Sequence, residues 1–301
     1  MGMTNIILLL ICLIIGILMQ RLKAMPQNAH VALNQVILYV ALPAIALLNV
    51  PNIHWNLSLF SLILAPWLWF FVVWGLMTYL GAKFHWRKTL VGCLILCAGC
   101  GNTSFVGYPI IEALFGKDAL SYAILFDQPG TFLISSSFGV YIAAAYSSGN
   151  VPLPSLLKKV VTFPFFIAFF ISLILGMLGW HAEGDIKIIL EKLAVLMTPL
   201  ALISVGLQLK MGDFKTEKKY LSLGLGLKLI ICPLMIFILY QFLNLPPEIF
   251  KVAVMEGAMA PMITASILAS TYGLEPKLAG MMVGLGVPVS LITLSLWYLV
   301  L

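Results

Sequence analysis

Ala98-Gly99-Cys100-Gly101-Asn102-Thr103-Ser104-Phe105-Val106-Gly107-Tyr108-Pro109 lies in the middle of an apolar run over residues 89–115. A run of that length can cross the hydrocarbon core of a bilayer, for which a helix needs about 20 residues. Yet it holds three glycines, a proline and three polar side chains at a depth where a helix gains most from being regular. Glycine and proline release backbone N–H and C=O groups from the helical ladder. Hydrocarbon offers those groups no partner, so broken backbone is tolerated there only where it lines a cavity or faces other protein. Transporters use such breaks to aim the partial charges of half-helix ends at substrates and ions. A proline kink with glycines for close packing is the plainer alternative.

The surrounding composition puts this stretch in a membrane. Hydrophobic residues fill 62% of the 301 positions and charged residues only 9%, whereas soluble domains are about a quarter charged. Apolar runs bounded by charge or turn residues fall at 3–20, 31–50, 58–81, 89–115, 119–146, 160–180, 187–209, 219–243, 249–273 and 277–301, which predicts ten spans. Runs of ~20 residues are too long for barrel strands, so the expected fold is an all-α membrane protein. Residues 3–20 lack a basic leader and a small-x-small cleavage site, and read as the first span rather than a secretory signal. The net charge of +6 resides in short loops, where it sets orientation, so no nucleic-acid partner is expected. Cys12, Cys93, Cys97, Cys100 and Cys232 all lie in apolar runs, which argues against a disulfide framework.

Lysine and arginine alternate between the two sides. One set of loops holds twelve: Arg21, Lys23, Lys83, Arg87, Lys88, Lys158, Lys159, Lys210, Lys215, Lys218, Lys219 and Lys277. The other holds three: Lys117, Lys187 and Lys251. The positive-inside rule then places the first set in the cytoplasm and both termini outside, in an inner (cytoplasmic) membrane. The turn-rich segment Ser147-Ser148-Gly149-Asn150-Val151-Pro152-Leu153-Pro154-Ser155 separates five spans from five. An odd number in each half means that two copies of one unit insert in opposite directions, the arithmetic of an inverted repeat. The expected organisation is a repeat over 1–148, a cytoplasmic linker over 149–158 and an inverted repeat over 159–301. Leu42-Pro43-Ala44-Ile45-Ala46-Leu47 and Thr198-Pro199-Leu200-Ala201-Leu202-Ile203 are weakly similar in support, and in each half the fourth span carries its proline break at a corresponding distance, Pro109 and Pro261.

The counterpart break is Glu256-Gly257-Ala258-Met259-Ala260-Pro261-Met262-Ile263-Thr264-Ala265-Ser266 in the ninth span. A carboxylate at that depth costs roughly 2.5 to 3.5 kcal/mol on insertion scales, so Glu256 should face a polar cavity. Asp127-Gln128-Pro129-Gly130 places a second acid and another break in the fifth span. The bland reading of both acids is a partnered packing group near a span end. Glu112, near the outer end of the fourth span, reads as interfacial. Three apparent motifs have plainer explanations: Cys93, Cys97 and Cys100 as small hydrophobes, Gly280 and Gly284 as a close-packing pair, and Trp67 and Trp74 as packing or lipid-facing aromatics.

Asn102-Thr103-Ser104-Phe105-Val106-Gly107-Tyr108-Pro109 resembles the broken fourth helix of the auxin efflux carrier family, which includes bacterial malate or malonate permeases. Pro199-Leu200-Ala201-Leu202-Ile203-Ser204-Val205-Gly206-Leu207 is similar to that family's seventh span, and the stretch from Glu256 to Pro261 to the bacterial form of its ninth. The resemblance covers essentially the whole chain. It implies that helices four and nine cross at their prolines, that an anionic substrate binds near the crossing, and that a scaffold and a transport domain alternate access. Carried over, it marks Asn102, Thr103, Ser104, Gly107, Pro109, Pro261 and Thr264 as substrate-binding candidates and Glu256 and Asp127 as ion-coupling candidates. The long cytoplasmic loop of many plant members is absent, which directs the expectation away from auxin itself.

The expected activity is therefore secondary transport of a small mono- or dicarboxylate, with a membrane-embedded ligand-sensing module as the alternative. No metal or nucleophile constellation suggests an enzyme: His30, His54, His85 and His181 are scattered near span ends. No cofactor is expected beyond a coupling proton or sodium ion, and uncoupled transport is equally open. The expected partners are the organic anion, the lipid bilayer and a second copy of the chain. Lys228 is the main cation at depth, so a carboxylate would rely on half-helix N-termini and Asn102 rather than on an arginine clamp.

Overall fold

A computed structural model describes residues 2–22, 25–26, 28–53, 55–147, 164–209 and 218–301. The linker expected at 149–158, and Lys23, Lys158, Lys159, Lys210 and Lys215 of the charge count, lie outside the described residues. Helices are α1 (Gly2–Arg21), α2 (Ala29–Asn52), α3 (Leu59–Lys83), α4 (Lys88–Gly99), α5 (Thr103–Phe115), α6 (120–146), α7 (Pro164–Met177), α8 (Gly184–Gln208), α9 (Lys218–Gln241), α10 (Pro247–Gly257), α11 (Ile263–Thr271) and α12 (Pro276–Val300). Among the described residues the only β pairing is one isolated bridge, Gly101 with Pro261.

Five of these helices, α2, α3, α8, α9 and α12, have 24 or 25 residues and are long and apolar enough to cross a membrane. At 1.5 Å per residue they exceed the roughly 30 Å hydrocarbon core. Large apolar side chains such as Phe60, Leu64, Ile188, Ile230 and Ile292 lie open on their surfaces, as do Ile7 and Ile11 on α1. In water such patches would drive aggregation, whereas lipid covers them at no cost. The chain is a multi-pass membrane protein.

Two compact units account for the fold, and each takes helices from both halves of the sequence. Unit 1 comprises Met1–Asn56, Ser104–Ile124 and Val161–Leu209; unit 2 comprises Leu57–Thr103, Leu125–Val160 and Lys210–Leu301.

In unit 1, α1 crosses α8 at a pair of glycines. A Cβ on Gly16 would run into the Ile203 carbonyl oxygen, and one on Gly206 would stand 2.6 Å from that of Leu13. Only glycine lets the two backbones meet, which is how membrane helices gain dispersion contact without a hydrophobic driving force. Polar ties fix the register: Gln20 Nε2 donates to the Leu207 carbonyl at 3.0 Å, and Ser204 Oγ to Asn34 Oδ1 at 2.5 Å.

Unit 2 is tied by knobs of proline and aromatic rings. A Cβ on Gly130 of α6 would lie 2.5 Å from Pro66 Cγ of α3. Here α6 runs as π-helix over Asp127–Phe132, and Trp67 Nε1 donates to the freed Pro129 carbonyl at 2.8 Å. Trp67 and Trp74 both pack edge-on against Phe138, so these tryptophans serve packing. The Gly280 and Gly284 pair does not mark a close crossing at Gly280, whose Cβ would meet nothing within 4 Å. A close approach in α12 falls at Gly286, where a Cβ would stand 2.7 Å from Pro261 Cδ.

Candidate functional site

The breaks expected in the fourth and ninth spans are present and meet in unit 2, whereas the one expected at Pro129-Gly130 is a π-helical stretch within the unbroken α6. Helix α4 stops at Gly99, Cys100 turns to extended backbone (φ −113, ψ 126), and α5 begins at Thr103 with a π-helical turn. Helix α10 stops at Gly257, Met262 is extended (φ −68, ψ 128), and α11 begins at Ile263. The Asn102 N–H donates to the Ala260 carbonyl at 2.7 Å and the Met262 N–H to the Cys100 carbonyl at 3.0 Å, closing the bridge between Gly101 and Pro261. Each break thus supplies the hydrogen bonds that the other loses, which is what makes two breaks at depth tolerable. The residue paired with Pro261 is Gly101. Pro109 instead opens the α-helical stretch Tyr108–Phe115.

Side chains satisfy the remaining freed carbonyls. Trp69 Nε1 of α3 donates to the Ala98 carbonyl in the last turn of α4, at 2.8 Å. Lys228 Nζ, on the π-helical turn Leu227–Ile231 of α9, donates to the Gly257 carbonyl at 2.5 Å.

Around the bridge lies an enclosed polar cluster. Asn102, Thr103, Asp127, Gln128, Lys228 and Glu256 are each no more than 3% exposed. Thr103 Oγ1 donates to Asp127 Oδ1 at 2.5 Å, and Gln128 Nε2 to Asp127 Oδ2 at 2.7 Å, so both carboxylate oxygens are held. Glu256 differs: neither of its oxygens has a hydrogen-bond partner among the described residues, and the Asn102 side-chain amide Nδ2 has none either. The charges acting on Glu256 are those of Asp127 and Lys228. A fully buried carboxyl and a buried amide without partners are costly features in a packed protein, and such exceptions mark ligand or ion sites more often than stable cores.

Of the residues picked from sequence, Asn102, Thr103, Asp127, Glu256 and Pro261 belong to unit 2 and gather at or beside the bridge. Thr264 also belongs to unit 2 but is exposed on α11, while Ser266, two residues on, is buried and donates to the Ala279 carbonyl at 2.7 Å. Ser104, Gly107 and Pro109 fall in unit 1. Gln128, Trp69 and Gly101 were not among the candidates. Lys228 was noted only as a cation at depth, although a lysine between glycines and a proline in Gly224-Leu225-Gly226-Leu227-Lys228-Leu229-Ile230-Ile231-Cys232-Pro233 carries the same cost signal as Glu256.

Unit 1 has a polar cavity of its own, about 380 Å³, lined among others by Asn49, Asn52, Glu112, Lys117, Lys187 and Glu191. Glu112 Oε2 accepts from Thr198 Oγ1 at 3.3 Å there. Opposite charges line it together.

Known proteins agree with the membrane reading along the full length. An uncharacterized transporter of Methanothermobacter thermautotrophicus is 28% identical, with 100% of this chain and 99% of that protein covered. One of Methanocaldococcus jannaschii is 26% identical over 98% of this chain and 97% of its own length. The uncharacterized transporter YfdV of Escherichia coli is 20% identical over 96% and 94%. The family model described as membrane transport protein matches residues 1–298, and the chain accordingly belongs to this auxin efflux carrier-like family of membrane transporters.

Proposed function

We propose that the chain is a secondary carrier of a small organic anion, a mono- or dicarboxylate, which it moves by alternating access. The observation that carries this reading is the mutual hydrogen bonding of the two helix breaks beside a buried, unpartnered Asn102 amide. Helices α5 and α11 both start there, and helix N-termini carry about half a positive charge each, which favours an anion. The Asn102 amide adds a neutral donor. Such a site binds a carboxylate without a fixed cationic clamp, so release on the far side stays easy.

The architecture proposed with it has ten spans, α4 with α5 forming the broken fourth and α10 with α11 the broken ninth, crossing at the bridge. Repeats over 1–148 and 159–301 are joined by a cytoplasmic linker at 149–158, in the inner membrane, with both termini outside. Contacts within each unit support it, because they join loops of equal parity. In unit 1, Asn52, Lys117 and Lys187, which follow spans two, four and six, line one cavity, and Gln20 at the end of span one meets Leu207 at the end of span seven. In unit 2, Arg87 before span four pairs with Glu275 before span ten at 3.3 Å, and Tyr240 at the end of span eight donates to the Ser61 carbonyl at the start of span three. Unit 2, which holds the bridge, is the part proposed to carry substrate, with Glu256 and Asp127 as its coupling groups.

Counterflow in proteoliposomes tests the proposal with a panel of labelled mono- and dicarboxylates. One or more should exchange against unlabelled anion, and Asn102→Ala should reduce that exchange at least tenfold with a nearly unchanged melting temperature. Saturable binding without exchange would instead identify a ligand-sensing module, and wild-type exchange by Asn102→Ala would return Asn102 to a packing role.

A further inference from the structure

We infer that Lys228 is a built-in counter-cation, occupying the place at the paired helix breaks where a dissociable sodium ion would otherwise sit, so that sodium takes no part in the cycle. Two half-helices, α4 and α10, direct their C-termini at the bridge. Each such end carries roughly half a negative charge, and the carboxyl groups of Asp127 and Glu256 are buried in the same cluster. A monovalent cation is the natural complement, held by carbonyl and carboxylate oxygens. The Lys228 ammonium meets that demand from within the chain. Its Nζ binds the Gly257 carbonyl, the oxygen that the end of α10 releases. The same side chain lies against the other break: a Cβ on Gly101 would stand 3.0 Å from both Cε and Nζ of Lys228. Glycine at that position therefore makes room for the ammonium, which touches both breaks at once.

The local backbone supports a dedicated role. Lys228 is 2% exposed, and burying an ammonium is expensive unless opposite charge surrounds it. It sits on a π-helical turn, a feature common at functional sites because one extra residue re-aims a side chain. Its Nζ also lies 3.9 Å from Cys232 Sγ, one turn further along its own helix. The N-terminal ends of α5 and α11 give a substrate anion donors apart from the ammonium.

The consequence for coupling rests on the carrier reading, but cation occupancy can be measured without substrate. Melting temperatures of the purified full chain in detergent would be compared in choline chloride and, at equal ionic strength, in sodium chloride or ethylammonium chloride. Wild type should not respond to either cation. Lys228→Ala removes the ammonium and leaves space for a small one, so it should melt lower in choline and gain about 2–4 °C, saturably, from sodium or ethylammonium near ten times the dissociation constant. Lys228→Met fills the space without charge and should not respond. A saturable sodium response of wild type overturns the inference, as does a folded Lys228→Ala that ignores both cations. If Lys228→Ala does not fold, Lys228→Ser replaces it. If neither folds, the wild type decides: sodium-independent melting sustains the inference and a sodium response overturns it. Failure of the carrier reading shows separately, as absence of counterflow across the anion panel.

Discussion

Gly286→Ala adds one methyl group at the back of the bridge and should disable it. The new Cβ would stand 2.7 Å from Pro261 Cδ and 3.2 Å from Pro261 Cγ, and ordinary contact begins at 3.4 Å, so the break must retreat by about 0.7 Å. A proline ring cannot rotate away, because it is closed onto its own backbone. A displacement of that size is large against the tolerance of the 2.7 Å and 3.0 Å bonds that close the bridge, and should distort them. Overpacking of this size costs about 1–3 kcal/mol, equivalent to a fall in melting temperature of about 2–10 °C. Displacement of a binding site by most of an ångström should slow exchange by about 10- to 100-fold. Gly280→Ala, in the same helix, is the control: its methyl meets nothing within 4 Å, and alanine is the better helix former by about 1 kcal/mol, so it should be neutral or slightly stabilising. Thermal melting and counterflow of the two variants beside wild type measure both effects. Equal behaviour of Gly286→Ala and Gly280→Ala would refute the reasoning.

Trp69→Phe leaves the buried Ala98 carbonyl without its 2.8 Å donor, which should lower stability by about 1–3 kcal/mol with the helical content intact; an unchanged melting temperature would mean that another donor takes over. Glu256→Gln retains the shape of the buried side chain and replaces its carboxyl by an amide that cannot titrate. In proteoliposomes with an imposed pH gradient it should exchange anion but fail to accumulate it, and gradient dependence equal to wild type would make Glu256 structural. A single cysteine at Ser155 in a cysteine-free variant should resist an impermeant maleimide added to intact spheroplasts, since the charge distribution assigns its segment to the cytoplasm; labelling from outside would reverse the orientation.

Sequence alone determined that this chain lives in a membrane and which segments interrupt its fourth and ninth spans, although it put Pro109 at the crossing where the structure has Gly101. Both follow from local physics: an apolar run in hydrocarbon must close its own hydrogen bonds, and Gly99, Gly101 and Pro261 prevent it from doing so. The cost of charge at depth singled out Glu256 and Asp127 for the same reason. Which groups would satisfy the interrupted backbone was not legible, because the partners come from remote segments whose approach depends on packing. Ala260 serves Asn102, Trp69 serves Ala98 and Lys228 serves Gly257, and no spacing rule links these pairs. Likewise Gly280 belongs to the sequence pattern of a helix crossing, yet a Cβ there would meet nothing within 4 Å, while one on Gly286, outside the pattern, would meet Pro261. The division into two units, each drawing on both halves of the chain, is of the same kind. Local pattern dictates where a helix breaks, while tertiary packing decides what the break is held by, since a freed carbonyl accepts whichever buried donor the fold brings within about 3 Å.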